Sequence, residues 1–252
     1  MRNALWHDKK LQFSFTFFLI AAWLLLTCIS AQAETPDEIT SDPHYHLLLQ
    51  NDQVRVFEVA LRPTEHAFVR HPYNFLVVTL QDCDMVMWNE GESEILNFHF
   101  NQGDARFFYS GPARGLRNDR TTDYHNITVE FLNPKVTTFG YQPTAGKWDY
   151  GSNALNPPVD PSKKFKSTLQ LGEAAVSDVQ LLQGDALLPP DKGSSELVIP
   201  VTDLDVKVEG DRHVRKSPGS IWWAGNERKT DLTNGVPEPT RFVVVELKAS
   251  HN

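Results

Sequence analysis

The stretch Leu76-Val-Val-Thr-Leu-Gln-Asp82-Cys-Asp84-Met85 is answered 121 positions later by Leu197-Val-Ile-Pro-Val-Thr-Asp203-Leu-Asp205-Val206. Both read as a buried strand, an Asp-x-Asp turn and a further strand. Two other segments keep step. Gln102-Gly-Asp-Ala-Arg-Phe-Phe108 matches Pro218-Gly-Ser-Ile-Trp-Trp223, and Asn118 to Ile127-Thr-Val-Glu-Phe131 matches Asn234 to Val243-Val-Val-Glu-Leu247 at a spacing of 116. Three ordered matches at nearly constant offset point to two tandem copies of one unit.

That unit is built of short strands. Val54–Leu61, Phe75–Leu80, Asp84–Trp88, Glu94–Phe98, Ala105–Tyr109, Ile127–Leu132, Glu196–Val201, Asp205–Val208, Ser220–Trp223 and Phe242–Leu247 are rich in β-branched and aromatic residues, with Asn, Asp, Gly and Pro between them. No amphipathic helical pattern competes, so the expected class is all-β, a sandwich or barrel in each copy.

The N-terminus belongs to neither copy. Arg2, Lys9 and Lys10 precede an apolar run from Leu11 to Ile29, and Ala31-Gln-Ala33 closes it, the layout of a secretory signal peptide. An uncleaved anchor is the alternative, but Phe17 to Ile29 is short for a span and the small residues favour cleavage after Ala33. Export would place the protein in the periplasm or outside the cell. Without residues 1–33 the chain has 21 bases and 31 acids, a formal charge of 21 − 31 = −10, which argues against a nucleic-acid or anionic-membrane partner. Cys83 would be its lone thiol, so stability must come from burial rather than an internal disulfide. The acids flanking Cys83 are expected to raise its pKa and make a reactive thiolate unfavourable.

Asn133 to Lys166, with Tyr141-Gln-Pro-Thr-Ala-Gly-Lys-Trp148 and Asn156-Pro-Pro-Val-Asp-Pro161, has linker composition, and Trp148 and Tyr150 suggest that it lies on the barrels. The expected organisation is a signal peptide at 1–33, a first barrel at 34–140, a linker at 141–165 and a second, degenerate barrel at 166–252.

The first copy resembles the cupin superfamily, and the tandem arrangement resembles a two-domain cupin of a poorly characterised bacterial subgroup. The residues that carry the likeness are the turn Leu61-Arg-Pro-Thr-Glu65, the strand Arg70-His-Pro-Tyr-Asn-Phe-Leu-Val-Val78, Gly103-Asp-Ala-Arg-Phe-Phe108 and the closing hairpin Asn118 to Glu130, preceded by an opening hairpin over Asp42 to Glu58. The resemblance implies two jelly-roll barrels packed together. It also implies a metal held by His-x-His-x(3–4)-Glu in a first motif and His-x(3)-Asn in a second. Carried over, those positions fall on Val69, His71, Phe75 or Leu76, and Arg114, with Asn118 ending the second motif. One of four ligands survives in the first copy. The second copy, with Pro190, Lys192 and Thr230 at the corresponding places, keeps none. Guanidinium and ammonium groups offer no lone pair to a metal.

Three functions follow as expectations. The first is an exported, non-catalytic binder of small carboxylates or a structural protein. Its site would be His71 and Arg114 in a pocket walled by Val69, Tyr73, Phe75, Phe107 and Trp88, because a guanidinium in an apolar cleft suits an oxyanion. The alternative for Arg114 is a structural ion pair with Asp104 or Asp119. The second function is a metal-dependent dioxygenase or isomerase, with a divalent transition metal on His66, His71 and His125; no cofactor is expected otherwise. The third is an interaction protein that forms a homodimer. Trp222 and Trp223 should face opposite sides of one strand, filling the second barrel and an interface. Asn126-Ile-Thr128 matches a glycosylation sequon inside an expected strand.

Overall fold

The computed structural model describes residues 35–91, 96–138, 154–155, 159–209, 212–225 and 228–248. Residues 1–33, Trp148 and Tyr150 lie outside them. From Pro36 onward the chain forms one compact unit. Its first half carries β1 (Asp37–Glu38), β2 (Tyr45–Gln50), β3 (Val54–Leu61), β4 (His66–Arg70), β5 (Phe75–Thr79), β6 (Cys83–Asn89), β7 (Leu96–Phe100), β8 (Ala105–Phe108), β9 (Arg114–Arg117) and β10 (Tyr124–Phe131). From the expected linker comes β11 (Ala154–Leu155). The second half carries β12 (Phe165–Leu171), β13 (Ala174–Leu181), β14 (Ala186–Leu187), β15 (Ser195–Pro200), β16 (Leu204–Lys207), β17 (His213–Lys216), β18 (Trp222–Gly225), β19 (Leu232–Asn234) and β20 (Thr240–Leu247). No helix occurs among the described residues.

The repeat seen in the sequence is a repeat of topology. The first half pairs its strands as β11-β8-β5-β10-β3-β2 and β1-β4-β9-β6-β7; the second as β18-β15-β20-β13-β12 and β14-β19-β16-β17. Without β1 and β11 the two orders coincide, strand for strand. Asn118 and Asn234, which the sequence aligned, do the same work. Each side-chain amide caps two carbonyls, Leu61 and Thr122 in one half (2.9 and 2.8 Å), Leu181 and Glu238 in the other (3.1 and 2.9 Å). The Asn at the end of the family's second motif is therefore a hairpin clamp in both halves.

Strand alternation divides the side chains between three cores. Along β10, Ile127, Val129 and Phe131 enter a cluster shared by both halves with Leu76, Val78, Phe107, Leu197, Ile199, Val243 and Val245. The opposite face of β10 looks into the first half's own core, with Phe57, Phe75, Met87 and Phe108. In the second half Val179, Val198, Phe242 and Val244 form the third. Trp222 packs on this last cluster and Trp223 on the shared one, the two-faced role expected of the pair.

Two side-chain pairs close the shared core at equivalent places. Glu58 accepts from His125 Nε2 at 2.7 Å, and Gly219, in the turn before β18, packs on that imidazole. Asp178 and Arg241 occupy the same two positions in the second half, bonded at 3.1 and 2.7 Å. Gly103, the counterpart of Gly219, packs on that guanidinium, which also donates to Gln102 O at 2.8 Å. Each half thus places a glycine turn on the other half's hydrogen-bonded pair.

Candidate functional site

The first half contains a pocket open to solvent, lined by Val69, His71 and Phe75 from β4 to β5, Arg114 and Leu116 from β9, and Tyr45, Val77, Met87, Phe100, Phe108, Tyr124, Asn126 and Thr128. Most of the wall is apolar. Two cationic or basic groups break it, Arg114 and His71.

The Arg114 guanidinium lies over the rings of Phe75 and Phe108 at 5.2 and 5.4 Å and donates to Tyr109 O at 2.8 Å. The two acids considered as its partners are bonded to other arginines: Asp119 to Arg117 at 2.6 Å and Asp104 to Arg106 at 3.4 Å. Cation–π contact is how a guanidinium can be held against an apolar wall.

His71 is held from three sides. Its ring stacks on Phe75 with centroids 3.7 Å apart and meets the Tyr45 ring edge-on at 5.9 Å. Its Nδ1 is 3.0 Å from Glu130 Oε1, and Glu130 Oε2 takes Arg55 Nε and a terminal guanidinium nitrogen at 2.8 and 2.5 Å. Arg55 and Glu130 are cross-strand neighbours on β3 and β10, and Glu130 is fully buried. Burial depresses the His71 pKa; the hydrogen bond and charge of Glu130 oppose that, and Arg114 and Arg55 reinforce it. Burial also drives the Tyr45 and Tyr124 phenols far above their usual range, so both stay neutral.

The His71 shift fixes a stability profile. The unfolded chain takes up a proton near pH 6.5 and the folded chain only at lower pH, so between those values the unfolded state binds more protons. The contribution from His71 is then fully present above about pH 6.5 and is lost as pH falls through the folded pKa. Denaturant midpoints compared at pH 7.5 and pH 5 should fall more steeply toward acid in the wild type than in His71→Gln; parallel profiles would contradict the assignment.

Of the residues expected in the pocket, Val69, His71, Phe75 and Arg114 line it. Phe107 does not; it sits in the shared core, while Phe108, directly opposite Phe75 in the β5–β8 register, holds the expected place. Trp88 stacks on Phe68 and covers Gly115 on the far side of its sheet from Met87. Tyr73 is exposed and lies 5.2 Å from the Arg55 guanidinium. Phe107 and Trp88 are off by one position in strand parity, which turns a side chain to the opposite face.

The three histidines offered as metal ligands are not brought together. His66 stands exposed at the start of β4, five residues from His71, and His125 is five residues from Glu130 on β10 and points to the shared core. Five strand residues separate side chains by roughly 16 Å and reverse their facing. No group of three or more His, Cys, Asp or Glu residues suited to a metal occurs among the described residues. In the cavity the family's ligand positions offer one imidazole beside a guanidinium, a donor set that does not fit a divalent transition metal. Asn126 and Thr128 of the sequon are buried and bonded to each other at 2.8 Å. Cys83 is buried, and its thiol is pushed up to about 12 by desolvation first and by Asp84, Asp82 and Asp104 after it.

The corresponding region of the second half carries a buried ion pair. Glu196 stands where Phe75 does, and the buried Arg228 bonds both its carboxylate oxygens, one at 2.7 Å, while donating to the carbonyls of Leu188 and Thr230 at 2.7 and 2.9 Å.

Comparison with known proteins bears on the fold. No family model matches the chain, and no curated protein does. Solved structures do match. AerE from Microcystis aeruginosa has a TM-score of 0.58 at 11% identity, over 84% of this chain and 97% of that one. A cupin 2 conserved barrel domain protein from Leptotrichia buccalis has 0.56 at 11% identity, over 85% and 92%. The salicylate 1,2-dioxygenase from Pseudoaminobacter salicylatoxidans, in its gentisate adducts, has 0.54 at 12% identity, over 79% and 70%. The fold is a cupin fold. Solved structures that match this one include a dioxygenase and the vicilin of Capsicum annuum, which has a TM-score of 0.54 at 12% identity, so the fold leaves activity undecided.

Proposed function

We propose that this chain is an exported two-barrel cupin, with a signal peptide at 1–33, barrels at 34–140 and 166–252 and a linker at 141–165, that binds a small carboxylate in its first barrel. One observation carries the reading: a guanidinium is fixed over two phenyl rings inside a mostly apolar cavity, in a chain whose charge after signal removal is negative. A flat anion between the aromatic walls would exchange its water for the Arg114 fork and lose little. The second barrel, with Arg228 and Glu196 paired at the corresponding place, contributes packing rather than a second site.

Titration calorimetry with benzoate tests this. The wild type should bind, and Arg114→Gln should bind about 10- to 100-fold more weakly, the equivalent of the 1.5–3 kcal/mol of a hydrogen bond to a charged group. Absence of heat from the wild type, or equal affinity in the variant, would remove the support for a carboxylate site.

A further inference from the structure

We propose that the first cavity is a proton-transfer site, in which a 2-oxo carboxylate seated on Arg114 loses a C3 proton to His71 Nε2 and regains one, interconverting its keto and enolate forms. The inference rests on the carboxylate reading above and adds a reaction to it.

The geometry needed for a base is complete within the chain. Arg55 holds Glu130 Oε2 by two bonds, which leaves Oε1 fixed as the acceptor for His71 Nδ1–H. The imidazole is thereby set in the tautomer whose lone pair is on Nε2. The Phe75 stack and the Tyr45 edge prevent the ring from turning over. Among the described residues no hydrogen bond takes up Nε2, and the ring lines the cavity. A simple binding pocket has no use for a second buried carboxylate behind its histidine. A base has, because the carboxylate orients the ring and stabilises the imidazolium that forms.

The step balances without any other reactant. The C3–H bond breaks, its electron pair forms the C2–C3 double bond, and the carbonyl π pair moves to the C2 oxygen. The proton goes to Nε2, giving an imidazolium facing Glu130. Arg114 faces the carboxylate and the developing enolate oxygen, which need donors most at that moment. Reversal delivers a proton to C3, from solvent once Nε2–H has exchanged. His71 and Arg114 are catalytic residues in this scheme; Glu130 and Arg55 position. The charged and titratable groups around His71 are Glu130 on β10, Arg55 on β3, Arg114 on β9 and the neutral Tyr45 on β2, and their net effect with burial keeps it unprotonated at neutral pH.

The experiment is proton NMR of 2-oxobutanoate in D2O, following loss of the C3 methylene signal, with EDTA present and binding measured in parallel by calorimetry. The wild type should speed exchange roughly 100-fold or more over buffer, in the range of positioned general bases. The rate should be level near pH 7–8 and fall only on the acid side of 6.5. His71→Gln should abolish the acceleration while retaining 2-oxobutanoate. Glu130→Gln should move the acid limb to lower pH, which a loss of stability alone would not do. Binding without acceleration, acceleration that survives in His71→Gln, or acceleration abolished by EDTA would each overturn the proposal and leave carboxylate binding standing. Failure of the wild type to bind either 2-oxobutanoate or benzoate would overturn both. Should His71→Gln not fold, the wild-type acid limb decides: a rate that does not fall below pH 6.5 excludes His71 as the base.

Discussion

Arg55→Ala should lower the unfolding free energy by about 3–5 kcal/mol, the cost of leaving a buried carboxylate without its cation. Glu130 has no solvent exposure and receives two of its three hydrogen bonds from Arg55. His71 cannot replace that charge, since burial keeps it neutral. Arg117 offers the control. It grips Asp119 with bonds of similar length, 2.6 and 2.8 Å, but on the surface, where water and salt screen the pair, and Arg117→Ala should leave the urea midpoint within scatter. A double replacement, Arg55→Met with Glu130→Leu, should recover much of the Arg55→Ala loss, because it removes both desolvated charges together. Equal losses in Arg55→Ala and Arg117→Ala would mean that Glu130 is solvated in solution.

Gly103→Ala should cost about 3 kcal/mol or more, the backbone strain and the displacement of a buried ion pair together. Its φ of +86° already costs a side chain roughly 1–2 kcal/mol. A Cβ there would also stand 2.4 Å from the Arg241 Cζ, and the guanidinium cannot yield without leaving Asp178 and Gln102 O. Gly219→Ala has nearly the same backbone, φ +84°, but meets the edge of a half-exposed imidazole at 2.9 Å, which can swing aside. Its loss should stay near the 1–2 kcal/mol of the backbone alone. In an Arg241→Ala background the Gly103→Ala increment should shrink to that of Gly219→Ala. Thermal or urea unfolding of the four proteins checks the order, and a Gly219→Ala loss equal to that of Gly103→Ala would break the argument.

The repeat made the architecture legible, because strand pairs that recur at one offset must adopt the same topology twice. Val54–Leu61 was readable to the residue. Other strands were hidden by their own chemistry. β13 carries Ser177, Asp178 and Gln180, buried polar residues met by the Thr168 hydroxyl, by Arg241 and by two carbonyls respectively, and nothing local signals that. β9, Arg114-Gly-Leu-Arg117, looks like a turn until Trp88 is known to lie on its glycine. At the site, His71, Arg114, Val69 and Phe75 were legible through the family's motif positions. Phe108 was missed in favour of Phe107 for want of the β5–β8 register, although the pairing of Phe75 with an aromatic neighbour was the available clue. Glu130 and Arg55 could not be read, since their link to His71 joins segments 59 and 75 residues apart.

The shared core has a thermodynamic consequence. Leu76, Val78, Ile127, Val129 and Phe131 from one half are covered by Leu197, Ile199, Val243, Val245 and Leu247 from the other. Neither half can melt while its companion persists without uncovering that face, and uncovered apolar area costs about 25 cal/mol for each Å². The two halves are therefore bound into one cooperative unit. The second half, which lends no residue to the lining of the pocket, remains indispensable as the wall behind the sheet that carries it.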